Sequence, residues 1–320
     1  MRKVRLGGGD LEVTPIGLGT WQFSQGKGLV GSFWKSLDTE TTRAVVKAAL
    51  DGGIDWFDTA EAYGKGASER SLAGALSALG VAPGSVRIAT KWWPFMRTAA
   101  SIPATIAERQ ACLDPYPIDL YQIHQPYGLS SKDRQVAAMG ELVVASQVRA
   151  VGVSNFSAAQ MEAAHALLAN RGLRLVSNQV RISLLDRSVE RNGVLEAARR
   201  LGVTLIAYSP LAQGLLTGRY HDDPSAIAKA TRARRLMGSL RPSYLARTAP
   251  LVAELKRVAA AHGATPSQVA LNWLVTRWGD AVVAIPGASR PSQAAEAAGA
   301  LGLALEAQEV QTLDDISLSV

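Results

Sequence analysis

The chain has 320 residues, 48% of them hydrophobic and 19% charged, with a formal net charge of +7. That make-up excludes a disordered or fibrous chain and suits a globular protein. No run of about eighteen apolar residues occurs, so no membrane span is expected.

The start, Met1-Arg2-Lys3-Val4-Arg5-Leu6-Gly7, lacks the apolar core of a signal peptide. Cys112 is the only cysteine, which rules out an intramolecular disulfide and a cysteine-based metal site. A cytoplasmic location and no metal are therefore expected. The densest basic run, Arg232, Arg234 and Arg235, has no aromatic residues interleaved. It suits a solvated loop, or one touching an anionic cofactor, and no nucleic-acid partner is expected.

In chain order, residues 6 to 14, with Gly7-Gly8-Gly9-Asp10, predict a hairpin turn. Ile16 to Trp21 is the first strand candidate. Asp38 and Thr39 can cap a helix that stops at Gly52-Gly53. Strand-like runs follow at Ile54 to Phe57, Val86 to Lys91, Ile118 to His124, Val148 to Val153, Arg174 to Ser177 and Val203 to Tyr208. Val282 to Ile285 is the eighth. Alanine- and leucine-rich runs with helical spacing separate them. Ser157 with Gln160, and Thr265 with Gln268, have capping-box spacing. The segment from about Leu211 to Thr248, with Pro224 and Pro242, reads as a long polar loop, and such loops are usually functional.

Strand and helix alternating over the whole length argue for a parallel sheet. Eight such units predict an α/β protein, a (β/α)8 TIM barrel formed as one domain over 1–320. It carries an N-terminal β-hairpin and a long loop after strand 7. A doubly wound open sheet competes, but Gly17-Leu18-Gly19-Thr20-Trp21-Gln22 lacks the third glycine of its dinucleotide fingerprint.

A barrel of this kind puts its active site at the carboxyl ends of the strands. The second strand delivers Asp58, followed by Tyr63. The third ends in Lys91 and the fourth in His124. The fifth runs into Ser154-Asn155, the sixth into Asn178-Gln179, the seventh into Tyr208-Ser209 and the eighth into Pro286-Gly287. Polar residues at so many strand ends would build a poor core but a good ring around one cavity. Singly, each has an ordinary reading: a helix cap, a rim charge, a packed histidine, a loop anchor. Together they make a proton-transfer set. A phenol is a weak acid, and a nearby ammonium lowers its pKa toward the working range. A carboxylate holds that ammonium, and a histidine orients a substrate oxygen. Tyr63, Lys91, Asp58 and His124 fill these roles in that order, as carbonyl reduction requires.

Asp58-Thr59-Ala60-Glu61-Ala62-Tyr63-Gly64, Ala89-Thr90-Lys91 and Leu120-Tyr121-Gln122-Ile123-His124 resemble the catalytic tetrad motifs of the aldo-keto reductases. Gly152 to Phe156 and Ala207 to Leu211 resemble that family's cofactor motifs. The likeness runs from about residue 3 to the C-terminus. Trp92-Trp93-Pro94 and the run Leu205 to Gly218 especially resemble the plant and cyanobacterial branch, which includes pyridoxal reductases.

The resemblance implies NADPH (NADP+) as cofactor and a place for each of its parts. Ser154, Asn155 and Gln179 would hold the nicotinamide amide beside Asp58, and Tyr208 would stack on the ring. Ser209, Pro210, Leu211, Gly214 and Leu216 would line the pyrophosphate. Gly19, Thr20 and Trp21 would approach from the first strand. Gly287, Ser289, Arg290, Gln293 and Glu296 would form the adenosine side, at the start of a helix whose amino terminus suits an anion. Gly287 stands where many members have lysine, and Ala297 follows Glu296 where asparagine is frequent, so NADPH over NADH rests mainly on Arg290 and on the habit of the family it resembles.

Trp21, Trp92, Trp93 and Tyr127 are candidate substrate walls for a flat or apolar carbonyl compound such as pyridoxal. A small-molecule carbonyl substrate is the expected partner, with the oligomeric state open. Two other functions compete. One is a cofactor-binding regulatory subunit on the same fold. The other is an aldolase using Lys91 as a Schiff base.

Overall fold

A computed structural model of the protein describes residues 2–27, 33–228 and 238–320. The predicted hairpin consists of β1 (Val4–Arg5) and β2 (Glu12–Val13), antiparallel with Val4 opposite Val13. Val4, Leu6, Leu11 and Val13 are buried against Trp56, Leu120, Ile206 and Val283. Those partners start their strands or sit one or two residues in, so the hairpin plugs the amino-terminal end of the barrel.

The eight predicted strands are β3 (Leu18–Gly19), β4 (Trp56–Asp58), β5 (Arg87–Trp92), β6 (Leu120–Ile123), β7 (Ala150–Ser154), β8 (Leu175–Arg181), β9 (Thr204–Tyr208) and β10 (Val282–Ile285). They are hydrogen-bonded in sequence order, all parallel. Parallel bridges from Ile16 to Ala284 and from Gly19 to Gly287 bring the first strand back to the last and complete the barrel.

The helices over eight or more described residues are α1 (Thr39–Asp51), α2 (Ala67–Ala78), α3 (Ser101–Leu113), α4 (Lys132–Val144), α5 (Ala158–Ala169), α6 (Val194–Leu201), α7 (Pro242–Ala261), α8 (Pro266–Arg277), α9 (Pro291–Gly299) and α10 (Ala307–Ser319). Their starts follow the sequence signals. Asp38 accepts from the Thr41 amide at 2.6 Å, and the Ser157–Gln160 and Thr265–Gln268 capping boxes both close. Each cap contributes about 1 kcal/mol by satisfying amides the first helical turn leaves without partners.

Alternation along the strands decides what reaches the interior. Trp56, Ala89, Leu120 and Ile206 face the barrel axis, whereas Phe57, Ile88, Tyr121 and Leu205 face the helices. Lys91 therefore points inward with Ala89, and Trp92 points outward.

The long segment after β9 differs from its expectation. Instead of a continuous loop to Thr248, it holds helical turns at Ala212–Thr217, Arg219–Asp222 and Pro224–Ile227, and α7 begins at Pro242. Leu215, Tyr220, Ala226 and Leu240 form a small apolar cluster that anchors it. Pro242 is a helix start, not a break, because proline at the first helical position loses no hydrogen bond. Arg232, Arg234 and Arg235 lie outside the described residues.

Gly17 shows how tightly the lower barrel is packed. A Cβ there would overlap the indole of Trp56, which is buried and donates from Nε1 to the Thr14 carbonyl at 2.9 Å. Gly17→Ala is expected to lower stability by about 1–3 kcal/mol through overpacking. Urea denaturation checks this, and an unchanged midpoint would mean that the indole yields freely.

Candidate active site

The carboxyl ends of the strands surround a cavity of about 1020 Å³. At its floor, Asp58 ends β4 and Lys91 lies near the end of β5, both buried. The Lys91 ammonium pairs with Asp58 Oδ1, donates to the Thr59 carbonyl at 2.8 Å and reaches the Tyr63 hydroxyl at 3.4 Å. Asp58 Oδ2 accepts from Gln179 Nε2 at 2.8 Å and from Gln122 Nε2 at 3.2 Å. Both carboxylate oxygens are thus bonded, as a buried charge requires. Burial works against the Lys91 ammonium, but Asp58 and Tyr63 together outweigh it, so its pKa stands above the ordinary lysine value.

Tyr63 sits on the turn after β4 and lines the cavity. Its ring stacks on Trp21 at 6.0 Å and meets His124 edge-on at 5.6 Å. Its pKa runs opposite to the sequence expectation. Burial raises it, and the pull of Lys91 is smaller, with Asp58 adding to the rise. The phenol therefore keeps its proton above the ordinary tyrosine range. Burial and the Lys91 charge hold His124 well below the ordinary histidine value, so its ring is neutral at physiological pH. Its Nδ1 has no hydrogen-bond partner among the described residues.

The other half of the rim carries a polar cradle. Ser154 Oγ donates to the Gln179 carbonyl at 2.8 Å. Asn155 donates to Ser154 Oγ at 3.1 Å and accepts from the Tyr208 hydroxyl at 3.0 Å. Asn155, Ser209 and Gln213 are in the left-handed region (φ 60, 52 and 57), joined by Gly214. Strained backbone of this kind clusters at binding sites, where the surrounding structure holds it in place. Beyond lie Pro210, Leu211, Gly287, Ser289, Arg290, Gln293 and Glu296, all on the cavity wall with Gly19, Thr20 and Trp21. Arg290 is the residue before α9, and Gln293 Oε1 accepts from the Ser289 amide at 2.9 Å.

Three sequence candidates fall elsewhere. Trp92 is fully buried between barrel and helices, with Nε1 donating to Ser101 Oγ at 3.1 Å, so it is no wall of the cavity. Leu216 is likewise fully buried in the core, because the turn at Ala212–Thr217 directs it inward. Tyr127 is 43% exposed and meets the edge of Trp93 at 6.1 Å, outside the cavity lining. Trp93 lines the cavity and packs edge-on against His124 at 5.1 Å. Trp34 also lines it, 5.9 Å from Trp21.

Sequence reasoning missed Gln122, Gln22 and Arg181. Gln122 is two residues before His124, so alternation along β6 could have found it. Gln22 fills the space beside Gly287, where a Cβ would overlap its amide. A lysine at 287 would have to displace it. Gln22 Oε1 is buried without a partner among the described residues. Arg181 shares the inward face of β8 with Gln179 and lies 5.9 Å from the Tyr208 ring.

The size of the cavity, the orphaned amide oxygen of Gln22 and the left-handed turn after β9 fit a dinucleotide better than a small carbonyl compound alone. The model of the Aldo/keto reductase family matches residues 15–318. An uncharacterized oxidoreductase of Mycobacterium tuberculosis is 38% identical, over 95% of this chain and 89% of its own length. The chloroplastic pyridoxal reductase of Arabidopsis thaliana is 34% identical, over 98% of this chain and 85% of its own. The structure of a glycerol dehydrogenase from Gluconobacter oxydans superposes with a TM-score of 0.82 at 27% identity, over 98% of this chain and 94% of that one.

Proposed function

Because the chain belongs to the aldo/keto reductase family, we propose that it reduces an aldehyde or ketone to the alcohol with NADPH, and that Tyr63 gives the proton. The observation that carries this reading is the Lys91 ammonium, held by Asp58 and reaching the Tyr63 hydroxyl at 3.4 Å on the cavity wall. The bound nicotinamide supplies the hydride.

The chain's own residues do the rest. Tyr63 donates its proton to the substrate oxygen, and the phenolate left behind is stabilised by the Lys91 ammonium. Asp58 keeps that ammonium charged and in place, with Gln122 and Gln179 satisfying its second oxygen. A neutral His124 orients the substrate oxygen by a hydrogen bond without adding a charge. Ser154, Asn155 and Gln179 would hold the nicotinamide amide, with Gln179 offering Oε1 because its Nε2 is committed to Asp58. Tyr208, its hydroxyl anchored on Asn155, would present its ring for stacking. Ser209, Pro210, Leu211 and Gly214 would line the pyrophosphate, and Ser289, Arg290, Gln293 and Glu296 the adenosine.

Gln22 occupies the space at Gly287, and Arg290, on the cavity wall just before α9, would read a 2′-phosphate. Arg290→Ala is expected to raise KM for NADPH roughly ten-fold, by loss of a charge-assisted contact, and to leave NADH nearly unchanged. Steady-state kinetics with both cofactors checks it, and equal effects would remove Arg290 from that role.

Trp21, Trp34 and Trp93 support a flat aromatic or small aldehyde as substrate. The relative named as a pyridoxal reductase supports pyridoxal among these. The test is NADPH oxidation across a carbonyl panel that includes pyridoxal. No oxidation with any compound, alongside tight NADPH binding, would sink the reading.

A further inference from the structure

Behind the Tyr63 turn, on the outer face of β5, lies a buried ionic cluster that proton transfer does not use. Alternation sends Lys91 inward and Thr90 outward. Thr90 Oγ1 donates to Glu69 Oε1 at 2.6 Å, and Arg109 Nη1 donates to Glu69 Oε2 at 2.6 Å. Glu69 comes from α2 and Arg109 from α3, and Thr90, Glu69 and Arg109 are all buried. Arg109 Nε stands 3.8 Å from Glu61 Oε2. Glu61 Oε1 in turn accepts from the Trp93 amide and from Arg97. The backbone repeats the tie, since the Glu61 amide donates to the Lys91 carbonyl at 3.2 Å. Glu61 is two residues before Tyr63, and Thr90 and Trp93 flank Lys91 on β5 and just beyond it.

We propose that Glu69 is a positioning residue of this site, setting the separation of Lys91 and Tyr63 through Thr90 on one side and through Arg109 and Glu61 on the other. The proposal rests on the reading that Tyr63 is the proton donor. Two carboxylates and a guanidinium are costly to take out of water, and apolar side chains of similar volume would fill the same space at less cost. What the ions add is direction. Apolar packing tolerates sliding, whereas each of these hydrogen bonds fixes an angle as well as a distance. The cluster ties the Tyr63 turn, the end of β5, α2 and α3 to one another, and the 3.4 Å contact between Lys91 and Tyr63 is set between the first two.

The cluster also makes the arrangement sensitive to pH. Burial pushes the Glu69 carboxyl up to about 7, against Arg109 and the Thr90 hydrogen bond, with Glu61 adding to the rise and Arg70 opposing it. Burial raises Glu61 as well, against the Trp93 amide, Arg97 and Arg109. Tyr121 of β6 faces the same space, and its hydroxyl has no partner among the described residues. Glu108 and Cys112 of α3 complete the surroundings of Arg109. Ionised, Glu69 accepts from Thr90 and Arg109 at once. A proton on either oxygen turns one of those acceptors into a donor. The sign follows: the cluster is complete above about pH 7 and loosens below it.

Glu69→Gln tests this, with Thr90→Val as a second variant that deletes one hydroxyl and no charge. The wild type is expected to show a kcat limb near neutral pH that rises as Glu69 ionises. In Glu69→Gln that limb is absent, kcat above it is lower by roughly ten-fold and KM for NADPH is unchanged, because misplacing reacting groups slows chemistry without touching the cofactor cradle. Thr90→Val lowers kcat in the same direction by less. Wild-type kcat and an unaltered limb in Glu69→Gln would overturn the proposal. So would an unaltered kcat in Thr90→Val if the glutamine variant does not fold. Should no carbonyl be reduced by any form, the functional reading fails separately. Hydrogen exchange at the Glu61 and Trp93 amides then decides, since the proposal requires it to speed up in either variant and an unchanged rate overturns it.

Discussion

Tyr63→Phe is expected to bind NADPH as tightly as the wild type and to lose turnover on the order of a thousand-fold, the scale of a positioned general acid. The substitution removes one oxygen and little else. The ring keeps its stack on Trp21 and its edge contact with His124. Lys91 keeps Asp58 and the Thr59 carbonyl. The hydrogen bonds that hold the cradle of Ser154, Asn155 and Tyr208 together do not involve residue 63. Cofactor affinity, read by quenching of tryptophan fluorescence, should therefore be separable from turnover, read by NADPH oxidation. Turnover near the wild-type rate would remove Tyr63 as the proton donor. The wild-type pH profile carries a further sign. Because burial outweighs Lys91, the Tyr63 proton is held above the ordinary tyrosine range. Loss of reduction on the alkaline side, where it arises from Tyr63, should begin later than a free phenol would give.

Much of this site was legible because the fold reports itself locally. Asp38, Ser157 and Thr265 cap the helices that they announce, and short β-branched runs mark the strands. Once eight parallel strands are inferred, the side chains at their carboxyl ends must converge, and Asp58, Tyr63, Lys91 and His124 do. The misplacements have a common physical origin. Trp92 is adjacent to Lys91 in sequence, but a period of two sends neighbours to opposite faces. Leu216 lies in a turn whose direction no periodicity encodes. The direction of the Tyr63 shift was illegible for a different reason. It depends on the balance between a nearby charge and the water excluded around it, and only packing fixes that balance. Gln22 and the Glu69–Arg109 pair carry no motif and gain meaning only through what lies beside them in space.

Lys91→Met is expected to destabilise the protein by about 3–5 kcal/mol, since it strands a buried carboxylate without its counter-ion. Methionine keeps most of the side-chain volume, so a cavity contributes little. The cost falls on Asp58, whose side chain is 2% exposed. Gln179 and Gln122 still donate to Oδ2, but Oδ1 loses its only charged partner among the described residues. Adding Asp58→Asn should recover stability to within about 1 kcal/mol of the wild type, because removing a buried pair entirely is often neutral. Urea denaturation of both single variants and the double variant gives the coupling directly. A Lys91→Met protein as stable as the wild type would mean that the pair contributes nothing to the fold. Activity should behave differently from stability. Neither Lys91→Met nor the double variant has a cation beside the Tyr63 hydroxyl, so nothing stabilises the phenolate that forms as the proton leaves. The double variant is therefore expected to be folded, stable and inactive. That outcome would assign the ion pair to proton transfer instead of to the stability of the barrel. Recovery of turnover along with stability would instead show that Lys91 acts only by neutralising Asp58.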